Sequence, residues 1–112
     1  MRKAAFLDVD GCIKHSDRSQ KWGNFYTLTY DGVHWIDGAI EAHKRLYDMG
    51  YDVFWVSMQN CINEKLITMY ECFNIFRKMK DYVNEQVGSP VVRNYQICTS
   101  EENSEAKILA KI

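Results

Sequence analysis

The chain has 112 residues, enough for one small domain with its own hydrophobic core. Its 46% hydrophobic and 26% charged residues are typical of a globular protein, and a net charge of -1 implies no general attraction to nucleic acid or anionic membranes. Its apolar runs are too short to span a bilayer, acids interrupt the first run too early for a signal peptide, and the four cysteines lack metal-ligand spacing. We therefore expect a cytoplasmic protein with free thiols and no membrane partner.

A buried strand is predicted over residues 3–9, and it ends in two carboxylates one residue apart, Asp8 and Asp10, followed by Gly11. Alternation along a strand sends both acids to the same face. Because neighbouring acids repel one another and lose hydration there, a chain keeps them where a cation or a reaction uses them. An ordinary polar turn is the alternative. A calcium-binding loop does not fit, since its required glycine would place Phe6 at the first ligand position.

An aromatic stretch over residues 22–36 follows a polar loop over residues 12–21, and it predicts a β-hairpin with Asp31-Gly32 at its turn. The aromatic and histidine side chains of this hairpin could contact a substrate, with Tyr30 and His34 as candidates. The alternative is that they pack across the hairpin and over a small core.

The rest of the chain alternates helices and strands. The patterns predict a helix from Asp37 as N-cap to Gly50 and a strand over residues 51–56 that ends at Ser57. A helical region follows over residues 62–87, either continuous or broken near Asn74, and it ends at a break formed by Gly88-Ser89-Pro90. A strand over residues 91–98 and a helix over residues 104–112 complete the predicted order. This alternation predicts a parallel sheet with crossover helices, in which ligands bind beyond the carboxyl ends of the strands.

Side chains suited to phosphoryl transfer follow the strands at that edge. Asp8 could attack phosphorus, and Asp10 could protonate the leaving oxygen and then activate water. The hydroxyl of Ser57 and the backbone N–H of Met58 could hold phosphate oxygens, and a lysine could add a positive charge. A hard cation such as Mg²⁺ would relieve the repulsion between the two acids and neutralise phosphate charge.

The stretch Phe6-Leu7-Asp8-Val9-Asp10-Gly11-Cys12-Ile13 resembles the first motif of the haloacid dehalogenase-like (HAD) phosphohydrolases. The strand that ends in Ser57 resembles their second motif, and Ser57-Met58-Gln59-Asn60 is similar to its Thr-Asn-Gln form in the histidinol-phosphate and heptose-bisphosphate phosphatases. The resemblance spans essentially the whole chain. It implies one domain over residues 1–112, a Rossmann-like three-layer α/β sandwich with a parallel sheet, a flap hairpin over about residues 22–36 and a shortened C-terminal part.

The resemblance also implies a role for each matching residue. Asp8 would be the nucleophile and Asp10 the acid/base, and Mg²⁺ would bind the Asp8 carboxylate and the Asp10 backbone carbonyl. Ser57 with Met58 would bind phosphate, and Lys107 would be the third-motif lysine. Gln59 and Asn60 would contact substrate. Solvated or capping roles are the alternatives for Lys107, Gln59 and Asn60, and Lys65 is a weaker candidate for the lysine.

The chain departs from the family pattern in three places. The fourth motif, one or two acids after Lys107, is expected to be absent, and Glu101 and Glu102 are expected to be solvated loop acids rather than substitutes. The zinc-binding Cys/His loop of the heptose-bisphosphate branch is not found, and Met58 replaces a polar residue. Without a further strand, the outer side of the first strand would be a bare sheet edge, at which a partner or a second copy of the chain could pair.

The leading hypothesis is a Mg²⁺-dependent phosphatase that hydrolyses a small phosphate monoester, such as a nucleotide or sugar phosphate, through an aspartyl-phosphate intermediate. One alternative is a truncated or degenerate HAD-like domain that binds a partner or a phosphorylated ligand without turnover. A weaker alternative is a 3'-phosphatase acting on nucleic-acid ends, and the lack of a basic patch counts against it.

Overall fold

The structure, a computed structural model, describes residues 1–15, 29–58 and 67–98 of the chain. Its elements in chain order are β1 (Lys3–Asp8), a 3-10 turn (Tyr30–Gly32), α1 (Ala39–Asp48), β2 (Tyr51–Met58), α2 (Met69–Val87) and β3 (Val92–Cys98). The strands form a parallel sheet in the order β1-β2-β3. This arrangement confirms the predicted α/β fold with a parallel sheet and crossover helices.

Alternation along the strands separates the two faces of the sheet. In β2 the side chains of Val53, Trp55 and Ser57 are buried on the face against which α1 and α2 pack. On the opposite face Phe6 of β1 stacks on Phe54 with ring centroids 5.5 Å apart, and Phe6 remains 55% exposed. Within the described part of the chain β1 is an edge strand, which agrees with the expected open edge.

A single cluster of buried side chains joins the sheet to the two helices. Its members are Val9, Ile13, Ala39, Val53, Trp55, Ile67, Cys72, Ile75, Phe76, Met79, Val83, Val91, Val92 and Ile97. The buried positions of α2 recur at three- and four-residue steps, as the sequence predicted for a helix with one apolar face. Burial of this face is the main source of stability for such a helix.

The first helix begins one residue later than predicted. Gly38, and not Asp37, is the N-cap of α1, and no side chain caps this end. Gly38 has a φ of 85°, a left-handed conformation that glycine adopts readily, and its carbonyl accepts the first helical bond from the N–H of Ala42. The expectation that Asp37 caps the helix is therefore wrong, because the Asp37-Gly38 pair forms a turn. The predicted end is confirmed, since Gly50 follows the C-cap Met49.

The second helix is continuous through Asn74 and starts at Met69. Thr68 caps it in a capping box, in which the Thr68 hydroxyl accepts from the N–H of Glu71 and the Glu71 carboxylate accepts from the N–H of Thr68. This box excludes a helix that runs unbroken through Thr68 from residue 62. At the other end, the predicted break after Val87 is confirmed. In the described ranges no helix has the length and apolar character needed to cross a bilayer.

A buried polar network ties α1 to the centre of the sheet. The indole N–H of Trp55 donates to Nε2 of His43 at 3.0 Å, and Nδ1 of His43 lies 2.7 Å from the carbonyl oxygen of Ala39. Since Nε2 accepts, the proton of the neutral ring is on Nδ1, which donates to Ala39. Burial lowers the pKa of His43 below its usual value of 6.5, and the bond to Ala39 offsets part of this effect.

We predict that the free energy of unfolding decreases as the pH falls below about 6.5, because His43 takes up a proton in the unfolded chain more readily than in the folded one. The stability contribution is present above that pH and is lost at a rate of no more than about 1.4 kcal/mol per pH unit. Urea unfolding at about pH 7.5 and about pH 5.5 measures it. The variant His43→Gln should lose this component, whereas His34→Gln, a change at an exposed histidine, should retain it. An unchanged pH dependence in His43→Gln would contradict the prediction.

Candidate active site

The carboxyl ends of the three strands meet at one edge of the sheet and form an open cleft of about 300 Å³. The parallel register places Asp8 of β1 beside Val56 of β2, and Ser57 beside Ile97 of β3. The cleft is lined by Phe6, Leu7, Asp8, Val56, Ser57, Met58 and Cys98. The cleft therefore takes one lining residue from each predicted motif, Asp8 from the first and Ser57 from the second.

Asp8 ends β1 with its side chain exposed on the open face of the sheet. Its Oδ1 accepts a hydrogen bond of 2.9 Å from the N–H of Val9, so the carboxylate is held against the backbone as the strand ends. The next side chain, Val9, is completely buried. This alternation leaves an anchored carboxylate at the cleft, a geometry suited to nucleophilic attack or to cation binding.

Asp10 lies beyond the strand in a tight turn, and it is not among the described residues that line the cleft. Gly11, with a φ of 78°, allows the chain to reverse, and its N–H donates to the carbonyl of Lys14 at 2.8 Å. Three further N–H groups converge on the carbonyl of Val9, those of Cys12 at 3.2 Å, Ile13 at 2.9 Å and Lys14 at 3.1 Å. The turn is thus fixed by backbone bonds that do not depend on its side chains.

The side chain of Lys14 forms an ion pair with the carboxylate of Asp10. Lys14 is 1% exposed, whereas the Asp10 side chain is 29% exposed. A lysine is buried this deeply only when its charge is paired. Lys14 was not predicted as a site residue, although its position four residues after Asp10 in a polar segment was a signal for such a pair.

The predicted phosphate-binding pair lies at the end of β2. Ser57 is 2% exposed and faces the helical side of the sheet, and Met58 is the last residue of the strand and is 39% exposed. Both line the cleft with Cys98, which pairs with Met58 across the β2–β3 register. A hydroxyl and a backbone N–H at a strand end are donors suited to an anion.

The two candidate substrate contacts of the flap lie apart from this cleft. Tyr30 is half-buried in the 3-10 turn, and the pKa of its hydroxyl is raised by burial, by Tyr82 and by Asp31. His34 is exposed, and its backbone carbonyl accepts from the N–H of His15 at 2.7 Å. Neither is among the described residues that line the cleft.

The described half of the predicted flap pairs with the turn that follows β1. The N–H of Ile36 donates to the carbonyl of Ile13 at 2.9 Å, and Trp35 makes an antiparallel bridge with Lys14. The Trp35 ring stacks on Tyr82 of α2 with centroids 5.4 Å apart. For Trp35 these contacts favour packing over substrate stacking. Residues 22–28, the other arm, lie outside the described residues, so the hairpin stays a prediction.

Several predicted site residues also lie outside the described residues. They are Gln59, Asn60, Lys65, Glu101, Glu102 and Lys107, together with the predicted helix over residues 104–112. Within residues 1–15, 29–58 and 67–98 no group of three or more His, Cys, Asp or Glu side chains is arranged to hold a metal ion. The oxygen donors of Asp8 and Asp10 nevertheless fit Mg²⁺, which commonly binds through one or two carboxylates and keeps several waters.

Comparisons with known proteins find similarity to one curated protein and to solved structures. No protein-family model matches the chain. The D-glycero-beta-D-manno-heptose-1,7-bisphosphate 7-phosphatase of Rhodopseudomonas palustris is 31% identical over 85 residues, which are 76% of this chain and 43% of that protein. The solved D,D-heptose 1.7-bisphosphate phosphatase from B. bronchiseptica, complexed with magnesium and phosphate, is 20% identical with a TM-score of 0.74 over 90% of this chain and 52% of that one. This chain thus spans about half the length of each, and the structural likeness establishes the fold.

We predict that Trp35 and Tyr82 are energetically coupled, because their rings stack in the folded chain. Trp35→Ala and Tyr82→Ala should each lower the free energy of unfolding by about 0.5–3 kcal/mol. In a double-mutant cycle measured by urea unfolding, the coupling energy should be about 0.5–1.5 kcal/mol. Trp35→Ala combined with Tyr70→Ala, at a tyrosine of the same helix that is 76% exposed, is the control and should be additive. A coupling of zero between Trp35 and Tyr82 would remove the evidence for packing.

Proposed function

Because this chain is a relative of the haloacid dehalogenase-like phosphohydrolases, near their heptose-bisphosphate phosphatase branch, we propose that it is a phosphatase that hydrolyses phosphate monoesters. The observation that carries the proposal is the cleft in which the anchored carboxylate of Asp8 lies with Ser57 and Met58. A nucleophile and hydrogen-bond donors for the phosphate oxygens in one cleft are the minimum that phosphoryl transfer needs.

The first chemical step is attack on phosphorus by the Asp8 carboxylate, whose orientation is held by the N–H of Val9. A bond forms between an Asp8 oxygen and phosphorus, and the bond from phosphorus to the ester oxygen breaks. Asp10, in its protonated form, gives its proton to that oxygen, which leaves as an alcohol. The products of this step are an aspartyl phosphate and an ionised Asp10.

The second step returns the enzyme to its starting state. Water attacks the phosphorus of the aspartyl phosphate and passes a proton to the Asp10 carboxylate. The bond between the Asp8 oxygen and phosphorus breaks, which releases inorganic phosphate and restores the Asp8 carboxylate. Asp10 thus serves as the acid in one step and as the base in the other, a role typically worth about 10²–10⁴-fold in rate.

The phosphate group would be held from the β2 side of the cleft. The Ser57 hydroxyl and the Met58 N–H lie at the strand end and are the donors proposed for its oxygens. Lys107 is the proposed third-motif lysine, and Gln59 and Asn60 are proposed substrate contacts. Tyr30 and His34, which are not among the described residues that line the cleft, are proposed contacts for a substrate that extends beyond it.

Mg²⁺ is the proposed cofactor, held by the carboxylate of Asp8 and the backbone carbonyl of Asp10. When bound, it would neutralise charge on the phosphate and relieve the repulsion between the two acids. The solved heptose bisphosphate phosphatase that shares this fold was complexed with magnesium, which supports the choice of metal.

The proposed substrate is a small phosphate monoester, and a sugar phosphate is the first class to test. Two relatives carry the names of heptose-bisphosphate phosphatases, which supports a sugar phosphate over a nucleotide. The cleft of about 300 Å³ offers room for a compact substrate. Phe6 and Val56 contribute apolar parts of its wall.

A second candidate function is binding of a phosphorylated ligand without turnover. It is favoured by Ser57 and Met58, whose hydroxyl and backbone N–H are proposed to hold phosphate oxygens whether or not the ester is cleaved. The two functions differ in whether phosphate is released, although both require the Ser57 end of the cleft.

We predict that the purified chain releases phosphate from para-nitrophenyl phosphate with Mg²⁺ and not after chelation of the metal. Asp8→Asn should lower kcat/KM by more than about 10³-fold, because the nucleophile is lost while the shape of the side chain is kept. The matched control is Asp37→Asn, which changes an exposed acid outside the cleft in the same way and should leave kcat/KM unchanged. Circular dichroism shows that each variant is folded.

A folded wild-type chain with no metal-dependent release would overturn the proposed phosphatase. Calorimetric titration with inorganic phosphate then tests the second function. Binding that is lost in Ser57→Ala would support it, and an absence of binding would exclude it as well.

A further inference from the structure

We propose that Lys14 is a positioning residue that holds the Asp10 carboxyl group in the orientation for proton delivery. This inference rests on the proposed phosphatase function, in which Asp10 is the acid/base. It starts from the ion pair between the Lys14 ammonium and Oδ1 of Asp10, which joins a buried lysine to a partly exposed acid. Lys14 is not among the described residues that line the cleft, and under this proposal it does not touch the substrate.

The backbone of Lys14 is clamped on both sides. Its N–H donates to the carbonyl of Val9 at 3.1 Å, and its carbonyl accepts from the N–H of Gly11 at 2.8 Å. On the other side Lys14 makes an antiparallel bridge with Trp35, whose ring is fixed in turn against Tyr82. The backbone from which the Lys14 side chain extends is therefore fixed.

The environment of the lysine fixes its side chain as well. At 1% exposure, the four-carbon stem of Lys14 has no freedom to swing into solvent, so its ammonium group stays beside the Asp10 carboxyl group. Asp10 is half-buried and lies in a turn, and its Oδ1 accepts from the ammonium of Lys14. A donor that is fixed in this way helps to orient the carboxyl group that accepts from it.

The chemistry of the acid requires such orientation. A general acid has to bring its proton within about 2.6–3.2 Å of the leaving oxygen. When Nζ of Lys14 donates to Oδ1, the proton to be delivered resides on Oδ2 of Asp10, and the fixed plane of the carboxyl group directs it. The proton passes from Oδ2 to the ester oxygen as that oxygen leaves phosphorus, and Lys14 keeps all of its protons throughout.

The experiment compares two substrates that differ in their need for an acid. The leaving group of para-nitrophenyl phosphate departs as a stable anion, whereas that of ethyl phosphate has to be protonated. The value of kcat/KM reports the first chemical step for each. The quantity compared is the ratio of kcat/KM for ethyl phosphate to kcat/KM for para-nitrophenyl phosphate. In Lys14→Met, we expect this ratio to fall about 10-fold or more. In Asp10→Asn, we expect the ratio to fall further.

Three further variants make the result specific. Lys44→Met makes the same substitution at another lysine paired with an acid four residues away, Asp48, but on an exposed surface, and should leave the ratio unchanged. Lys14→Met in an Asp10→Asn background should shift the ratio no further, because Lys14 acts through Asp10. Lys14→Arg keeps a charged donor and should restore at least part of the ratio.

Each outcome supports or overturns the inference. An equal fall for both substrates, or none, in folded Lys14→Met would show that Lys14 only supports the turn, and would leave the phosphatase proposal intact. If Lys14→Met does not fold, Lys14→Gln, which is neutral but polar, replaces it with the same expected shift. A wild-type chain without metal-dependent phosphate release would overturn the phosphatase proposal, and with it the role of Lys14.

Discussion

The parallel pairing of β1 with β2 is the constraint on which the rest of the site depends. It runs from Lys3 opposite Tyr51 to Asp8 opposite Val56 without a shift in register. Because parallel strands end at the same edge of a sheet, Asp8 at the end of β1 and Ser57 near the end of β2 both line the cleft at that edge. The cleft is a consequence of that register, and a slip of one residue would send Asp8 to the opposite face.

The helices pack on one face of the sheet and stabilise the pairing of its strands. Trp55, in the middle of β2, is buried and donates to His43 of α1, so the central strand is tied to the helical layer by a polar contact as well as by packing. The other face carries Phe6 and Phe54, which stack on one another. The functional edge thus belongs to a sheet that is anchored firmly on one face and open toward the cleft.

A second level of organisation lies in the turn after β1. The amides that converge on the Val9 carbonyl make a rigid loop, and this loop buries a lysine against Asp10. The pairing of the same loop with residues 34–36 links it to the segment that was predicted as a flap. The backbone of Lys14 thus connects that segment to the turn that contains Asp10.

The three strands, the break after Val87, the two acids of the first motif and the family resemblance were predictable from the sequence, because apolar periodicity, glycine and short motifs are local signals. Three features became known from the folded chain: Gly38 caps α1 in place of Asp37, Thr68 caps α2, and Lys14 is buried against Asp10. The capping box of Thr68 and Glu71 is a local pattern that the prediction from sequence did not use, whereas the burial of Lys14 depends on packing in the folded chain. A charge near an acid can be read from spacing, but its burial requires the folded chain.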